Sequence, residues 1–366
     1  MSIKTRTSTN RLEYLDWLRG LGAIIMLQGH VFDSFLKPEL RPGGAWVLSQ
    51  FAGGMPPAIF LFLTGVTLAF LMDSSERRGL TRGQRVFAAF RRSGYLFFLA
   101  FAFRAQMFVS GFPAAWTDLL KVDILNCMGF SIAVLSVMAV FRTRQRVAAA
   151  AAVGLAIALA GPLVSAANWT RLPAALANYI APSRVAFGFF PWAAHLAFGI
   201  SAGSLIRSLT PEATDGAMRW IAAGGGVTIV IAQWCAASSR SIYASSDFWL
   251  NSPAQVLTKA SVTLVMLSGA YLWTRYGARH GAWSWVRQFG VTSLLVYWVH
   301  IELVYGRWLW FLKNSLTVGE TAATAVGVIL FMLAISALRT NWARARSALA
   351  GMGWWYAPTP ERVPGD

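Results

Sequence analysis

The 366-residue chain is 56% hydrophobic and only 13% charged, with a mean hydropathy of +0.51 and a net charge of +17. Its arginines sit in short clusters between long apolar runs, a pattern that marks a multi-pass membrane protein and excludes a nucleic-acid partner. Cys127 and Cys235 are the only cysteines, so neither a disulfide framework nor a Cys/His metal site is expected.

Ten apolar stretches are long enough, or nearly so, to cross a bilayer: 15–36, 47–72, 90–110, 118–140, 147–166, 184–206, 217–236, 254–275, 289–312 and 320–338. Tryptophans such as Trp46, Trp220, Trp234, Trp283 and Trp310 fall near the ends of these runs, where indoles favour the headgroup level. Basic residues cluster before the first stretch and after the second, fourth, sixth, eighth and tenth, whereas the alternate loops carry one or two each. The positive-inside rule then places both termini in the cytoplasm, as an even number of spans requires. The expected fold is an all-α polytopic helical bundle of about ten transmembrane helices. One transmembrane domain occupies 1–340, and 341–366 form a Pro-rich cytoplasmic tail. The N-terminus has no short apolar core with a small-residue cleavage site, so no removable signal peptide is expected.

The first stretch, RLEYLDWLRGLGAIIMLQGHVFDSF, opens polar and then carries His30 inside an apolar run. At about 100° per residue Arg19 and His30, eleven positions apart, return to nearly the same helix face, with about 16 Å of rise between them. Asp16 lies three positions before Arg19 and can pair with it across one turn. Asp16, Arg19 and His30 thus form one polar stripe, and Gly22 and Gly29 allow a second helix to approach on a neighbouring strip. In a soluble helix His30 would be read as a satisfied core histidine; within a membrane an ionisable group is functional by default.

Farther along, Arg104 and Gln106 fall in the outer half of the third span, and Asp118, Lys121, Asp123 and Asn126 in the outer half of the fourth. His195 sits near the middle of the sixth, Lys259 opens the eighth, and His300, Glu302 and Arg307 run outward through the ninth. Private ion pairs, such as Arg104 with Asp123 or Glu302 with Arg307, would explain each residue singly. Their common depth points instead to a water-filled cavity open to the outside. At the inner face Arg82, Arg85, Arg91 and Arg92 fall within eleven residues, beside Gly79, Gly83 and Gly94. Positive-inside bias accounts for cytoplasmic arginines in general, and such a cluster also suits a multiply phosphorylated ligand.

The opening RLEYLDWLRGLGAIIMLQGH resembles the first span of the transmembrane acyltransferases, in which an Arg, ten residues and a His recur, as Arg19 and His30 do here. Within that group the chain is most similar to bacterial relatives of the heparan-alpha-glucosaminide N-acetyltransferase catalytic domain. The similarity runs through AIFLFLTGVTLAF, VDILNCMGFSIAVL, FGFFPWAAHLAFGISAG and VTSLLVYWVHIELVYG, in order, to about Gly306. The related acyltransferase family three usually shows an Arg-x-x-Arg pair where this chain has adjacent Arg91 and Arg92.

The resemblance implies an acyltransferase of the bacterial inner membrane that takes an acyl group, acetyl above all, from cytoplasmic acyl-CoA and gives it to an extracytoplasmic sugar or glycoconjugate. On this reading His30, with Asp16 and Arg19, is the catalytic set, and His30 acts as base or as acyl carrier. Arg85, Arg91 and Arg92 hold CoA. Arg104, Asp123, Asn126, Lys259, His300 and Glu302 surround the acceptor, with Arg104, Lys259 or His300 stabilising the oxyanion. The bilayer, acyl-CoA and a glycan or glycolipid are the partners, and a homodimer is left open. A secondary transporter is the alternative, because it too places charges around a midplane cavity.

Overall fold

The computed structural model describes residues 12–111, 114–238, 242–277 and 283–342; most of the tail read as 341–366 lies outside them. Among the described residues the chain is helical, and its only β pairing is an isolated bridge between Leu36 and Leu316. In chain order the helices are α1 (Glu13–Phe35), α2 (Gly44–Gly53), α3 (Pro56–Arg77), α4 (Arg82–Ser110), α5 (Ile124–Leu135), α6 (Thr143–Ala166) and α7 (Ala174–Ile180). They continue as α8 (Phe189–Ser208), α9 (Pro211–Ala237), α10 (Pro253–Leu272), α11 (Trp285–Val291), α12 (Ser293–Tyr305) and α13 (Val318–Thr340).

Local chemistry sets many of these starts. Pro56, Pro211 and Pro253 occupy first-turn positions, where a missing N–H costs nothing. Thr81 with Gln84, Asp123 with Asn126 and Thr317 with Glu320 form reciprocal capping boxes. The expected second span is two helices, because Gly54 and Met55 stand between α2 and the prolines that open α3. The ninth likewise breaks at Thr292 into α11 and α12 and ends at Tyr305, short of residue 312.

Eight helical segments among the described residues are long and apolar enough to cross a membrane. The two expected spans outside that set are the ones that carry His30 and His300. The first, α1, is 23 residues long, about 34 Å of rise, but holds Glu13, Asp16, Arg19 and Asp33; α12 has only 13 residues. Neither is self-sufficient in lipid, and most of α1 is buried by neighbouring helices. Helix α1 packs against α2, α3, α10, α11, α12 and α13.

Glycines let these helices meet at backbone distance. A Cβ on Gly290 of α11 would lie 1.8 Å from the Asp16 carbonyl oxygen, and one on Gly29 would lie 2.9 Å from Gly53 Cα in α2. Gly29 therefore marks a close helix contact, whereas Gly22 faces the Ile59 side chain. At one end of the bundle Asp73 and Glu76 of α3 gather arginines from several helices. Asp73 pairs with Arg77 at 2.6 Å and Arg207 at 2.8 Å, and Glu76 with Arg146 at 3.3 Å and Arg85 at 3.6 Å. This network joins α3, α4, α6 and α8, and losing one acid would leave buried guanidinium charge uncompensated.

Candidate active site

Helices α1 and α12 run in the same direction and in register. The His30 Nδ1 lies 2.9 Å from His300 Nε2, and one turn farther Ser34 Oγ donates to the Val304 carbonyl at 2.9 Å. His300 is fully buried, and its Nδ1 lies 2.7 Å from the Val296 carbonyl. That contact fixes the tautomers, because a carbonyl can only accept. Neutral His300 must carry its proton on Nδ1 and present a lone pair at Nε2. His30 then donates from Nδ1, and its own Nε2 is left basic, with no hydrogen-bond partner among the described residues.

His30 lines a cavity of about 220 Å³ between α1, α3, α4 and α12. The volume is below the range of whole-ligand pockets and suits the reacting ends of two larger molecules. Tyr297, Ile301 and Tyr305 face it at four-residue spacing along α12. Tyr305 donates to Asp33 Oδ2 at 2.9 Å, and its ring stands edge-on to His30 with centroids 5.2 Å apart. Opposite them, Arg104 Nε lies 3.1 Å from Asp123 Oδ2. The other Asp123 oxygen accepts from the Leu125 and Asn126 backbone N–H groups at 3.0 and 3.1 Å, which caps α5 and holds the carboxylate still. The contact is an ion pair rather than a hydrogen bond, and no Arg104 N–H has a hydrogen-bond partner among the described residues, so the guanidinium is available to an oxyanion.

The single outer cavity expected from the sequence is divided. His30, Arg104 and Asp123 line it; His300 supports His30 from behind, and Asn126 stands behind Asp123 with its amide donating to Tyr179 at 2.9 Å. The Lys259 amine lies 5.1 Å from the Trp192 ring centre, and Trp192 packs on Phe187, a cavity wall. Lys259 does not line the cavity, and buried His195 sits beside the same tryptophan. Glu302 lines a separate recess on the far side of α12, bonded to Gln106 at 2.9 Å. The expected Arg104–Asp123 pair forms. Arg307 reaches instead to the Gly111 carbonyl, so the expected Glu302–Arg307 pair does not.

Asp16 and Arg19 pair at 3.0 Å, far down α1 from His30, and touch no part of the cavity. Arg91 and Arg92 line an open cleft of about 500 Å³ with Gln84 and Tyr95. Arg85 is not in it. Its side chain turns inward to the Val140 carbonyl at 3.2 Å and to Glu76, because it shares the buried face of α4 with Ala89 and Ser93. The sequence reading missed Tyr297 and Tyr305, although their eight-residue separation with Ile301 between them was a visible stripe.

No curated protein matches the chain. The family model of the heparan-alpha-glucosaminide N-acetyltransferase catalytic region matches residues 11–243. That segment holds α1 to α9, and with them His30, Arg91, Arg92, Arg104 and Asp123. It stops before α10, so Lys259, His300 and Glu302 lie beyond it and the pairing of His300 with His30 rests on geometry alone. With nearly two thirds of its length inside the match, this multi-pass membrane protein belongs to the heparan-alpha-glucosaminide N-acetyltransferase catalytic family.

Proposed function

We propose that the protein moves an acetyl group from acetyl-CoA, bound at the cytoplasmic end of the bundle, to an amine or hydroxyl of an extracytoplasmic sugar, with His30 as general base. The observation that carries this reading is the Val296–His300–His30 hydrogen-bond chain, which leaves a basic ring nitrogen at the wall of the cavity. As the acceptor's lone pair bonds to the thioester carbon, His30 Nε2 takes its proton. Arg104 donates to the oxyanion that forms, and Asp123 holds Arg104 in place. When the intermediate collapses, the C–S bond breaks and the thiolate leaves with the proton held by His30.

Arg91 and Arg92 are the residues we assign to the donor's phosphates. They precede Arg104 on α4 by 13 and 12 residues, about 18–20 Å of rise, comparable to an extended pantetheine arm. In proteoliposomes, label from acetyl-CoA is expected to reach a covalent sugar product only when the donor is on the face bearing Arg91 and Arg92. Intact solute crossing without transfer would mean a transporter. Each charge-assisted phosphate contact is worth about 1.5–3 kcal/mol. The double variant Arg91→Ala, Arg92→Ala is therefore expected to raise the donor Kd at least tenfold, as read by calorimetry on purified protein. Unchanged donor affinity in a folded double variant would remove the assignment.

A further inference from the structure

On the side of α12 that faces away from His30, α4, α12 and α13 enclose a second recess of about 450 Å³. Its polar centre is Glu302, only 8% exposed and yet, among the described residues, without a cationic partner. Gln106 donates to one carboxylate oxygen at 2.9 Å and itself accepts from the Trp298 indole N–H, so a relay of neutral groups fixes the carboxylate in position. A buried carboxylate in a membrane protein is costly when only neutral groups face it.

The recess is also polarised along its length. Ser110, the last residue of α4, and Trp308, just past the end of α12, stand at one end of the helices. The Leu36–Leu316 bridge and the Ser34–Val304 bond place the start of α13 near the same end, and Phe331 lies 13 residues into α13, about 20 Å of rise past its first residue, Val318. Trp308 and Phe331 are 73% and 50% exposed, so the rim opens sideways toward lipid rather than into the His30 cavity.

We propose that this recess binds a phospholipid whose headgroup carries a primary ammonium. The ammonium sits against Glu302 and the Trp308 ring face, and an acyl chain runs down past Phe331. Charge selects the headgroup, because an anionic lipid would place like charge beside Glu302. The aromatic wall adds a cation–π contact that a neutral or anionic headgroup cannot use. The polar-to-apolar order of the walls matches a lipid standing in its own leaflet and gives a tail-less ligand nothing to fill the lower half. This inference does not depend on the transfer reaction assigned to the His30 cavity.

The test is native mass spectrometry of the purified full chain titrated with phosphatidylethanolamine, phosphatidylglycerol of identical chains, and free glucosamine. Phosphatidylethanolamine is expected to bind about tenfold more tightly than phosphatidylglycerol, the value of one charge-assisted contact. Glu302→Gln is expected to erase that preference. Trp308→Ala, a change at an exposed rim position, is expected to weaken phosphatidylethanolamine binding severalfold and keeps the test decisive if Glu302→Gln folds poorly. Equal binding of the two lipids, or a preference untouched by both variants, would overturn the proposal. Glucosamine binding at the concentrations that saturate the lipid, lost in Glu302→Gln, would also overturn it and make the recess a sugar site.

Discussion

His30→Ala is expected to lower kcat for acetyl transfer by 10² to 10⁴, the usual value of a positioned general base, while donor affinity and folded yield stay near wild type. The reasoning combines location and chemistry. His30 is half-buried at the wall of the cavity, so truncation removes a ring without stripping a closed core. The donor's phosphates are assigned to Arg91 and Arg92, on a different helix, so the donor Kd has no reason to move. Steady-state kinetics and calorimetry on one preparation separate the two quantities. A loss of kcat below tenfold would remove His30 from the chemistry. The same protein answers a second question. If acetyl-CoA without acceptor leaves a stable acetyl group on His30, detected by peptide mass spectrometry, the histidine carries the acyl group and the base role falls.

The stripe of Asp16, Arg19 and His30 was legible because it lies on one helix, where a period of 3.6 converts sequence spacing into direction. The Asp16–Arg19 pair at 3.0 Å follows from that spacing alone. Between helices the same method gives only depth. His300 and Glu302 have almost the same depth, but two helical steps turn them about 200° apart, so one meets His30 and the other faces a different recess. Depth alone therefore merges two cavities into one. Arg85 stands apart from Arg91 and Arg92 for a related reason. Charge density placed it with Arg91 and Arg92, whereas the small residues Ala89 and Ser93, four and eight positions on, put it on the buried face of α4. The contact between His30 and His300 spans 270 residues, and no local rule reaches that far.

His300 is a positioning residue in this scheme, and its variants separate that role from a packing role. Its side chain is fully buried, so His300→Leu keeps most of the packing volume while removing the acceptor for His30 Nδ1–H. The freed His30 ring can rotate and take either tautomer, so the basic nitrogen no longer has a fixed place in the cavity. Partners that orient a metal-bound imidazole contribute about 10- to 100-fold, and a loss of that order in kcat with little change in KM is expected for His300→Leu. His300→Gln supplies the control, since its amide oxygen can accept from His30 Nδ1 at nearly the position of the lost ring nitrogen. Activity is expected to recover in His300→Gln relative to His300→Leu, at similar thermal stability. A purely structural histidine would show no such recovery, because both variants would then fail by the same loss of folded protein. Should both variants of His300 be inactive and well folded while His30→Ala retains turnover, the chemistry belongs to α12 and the roles of the two histidines are exchanged.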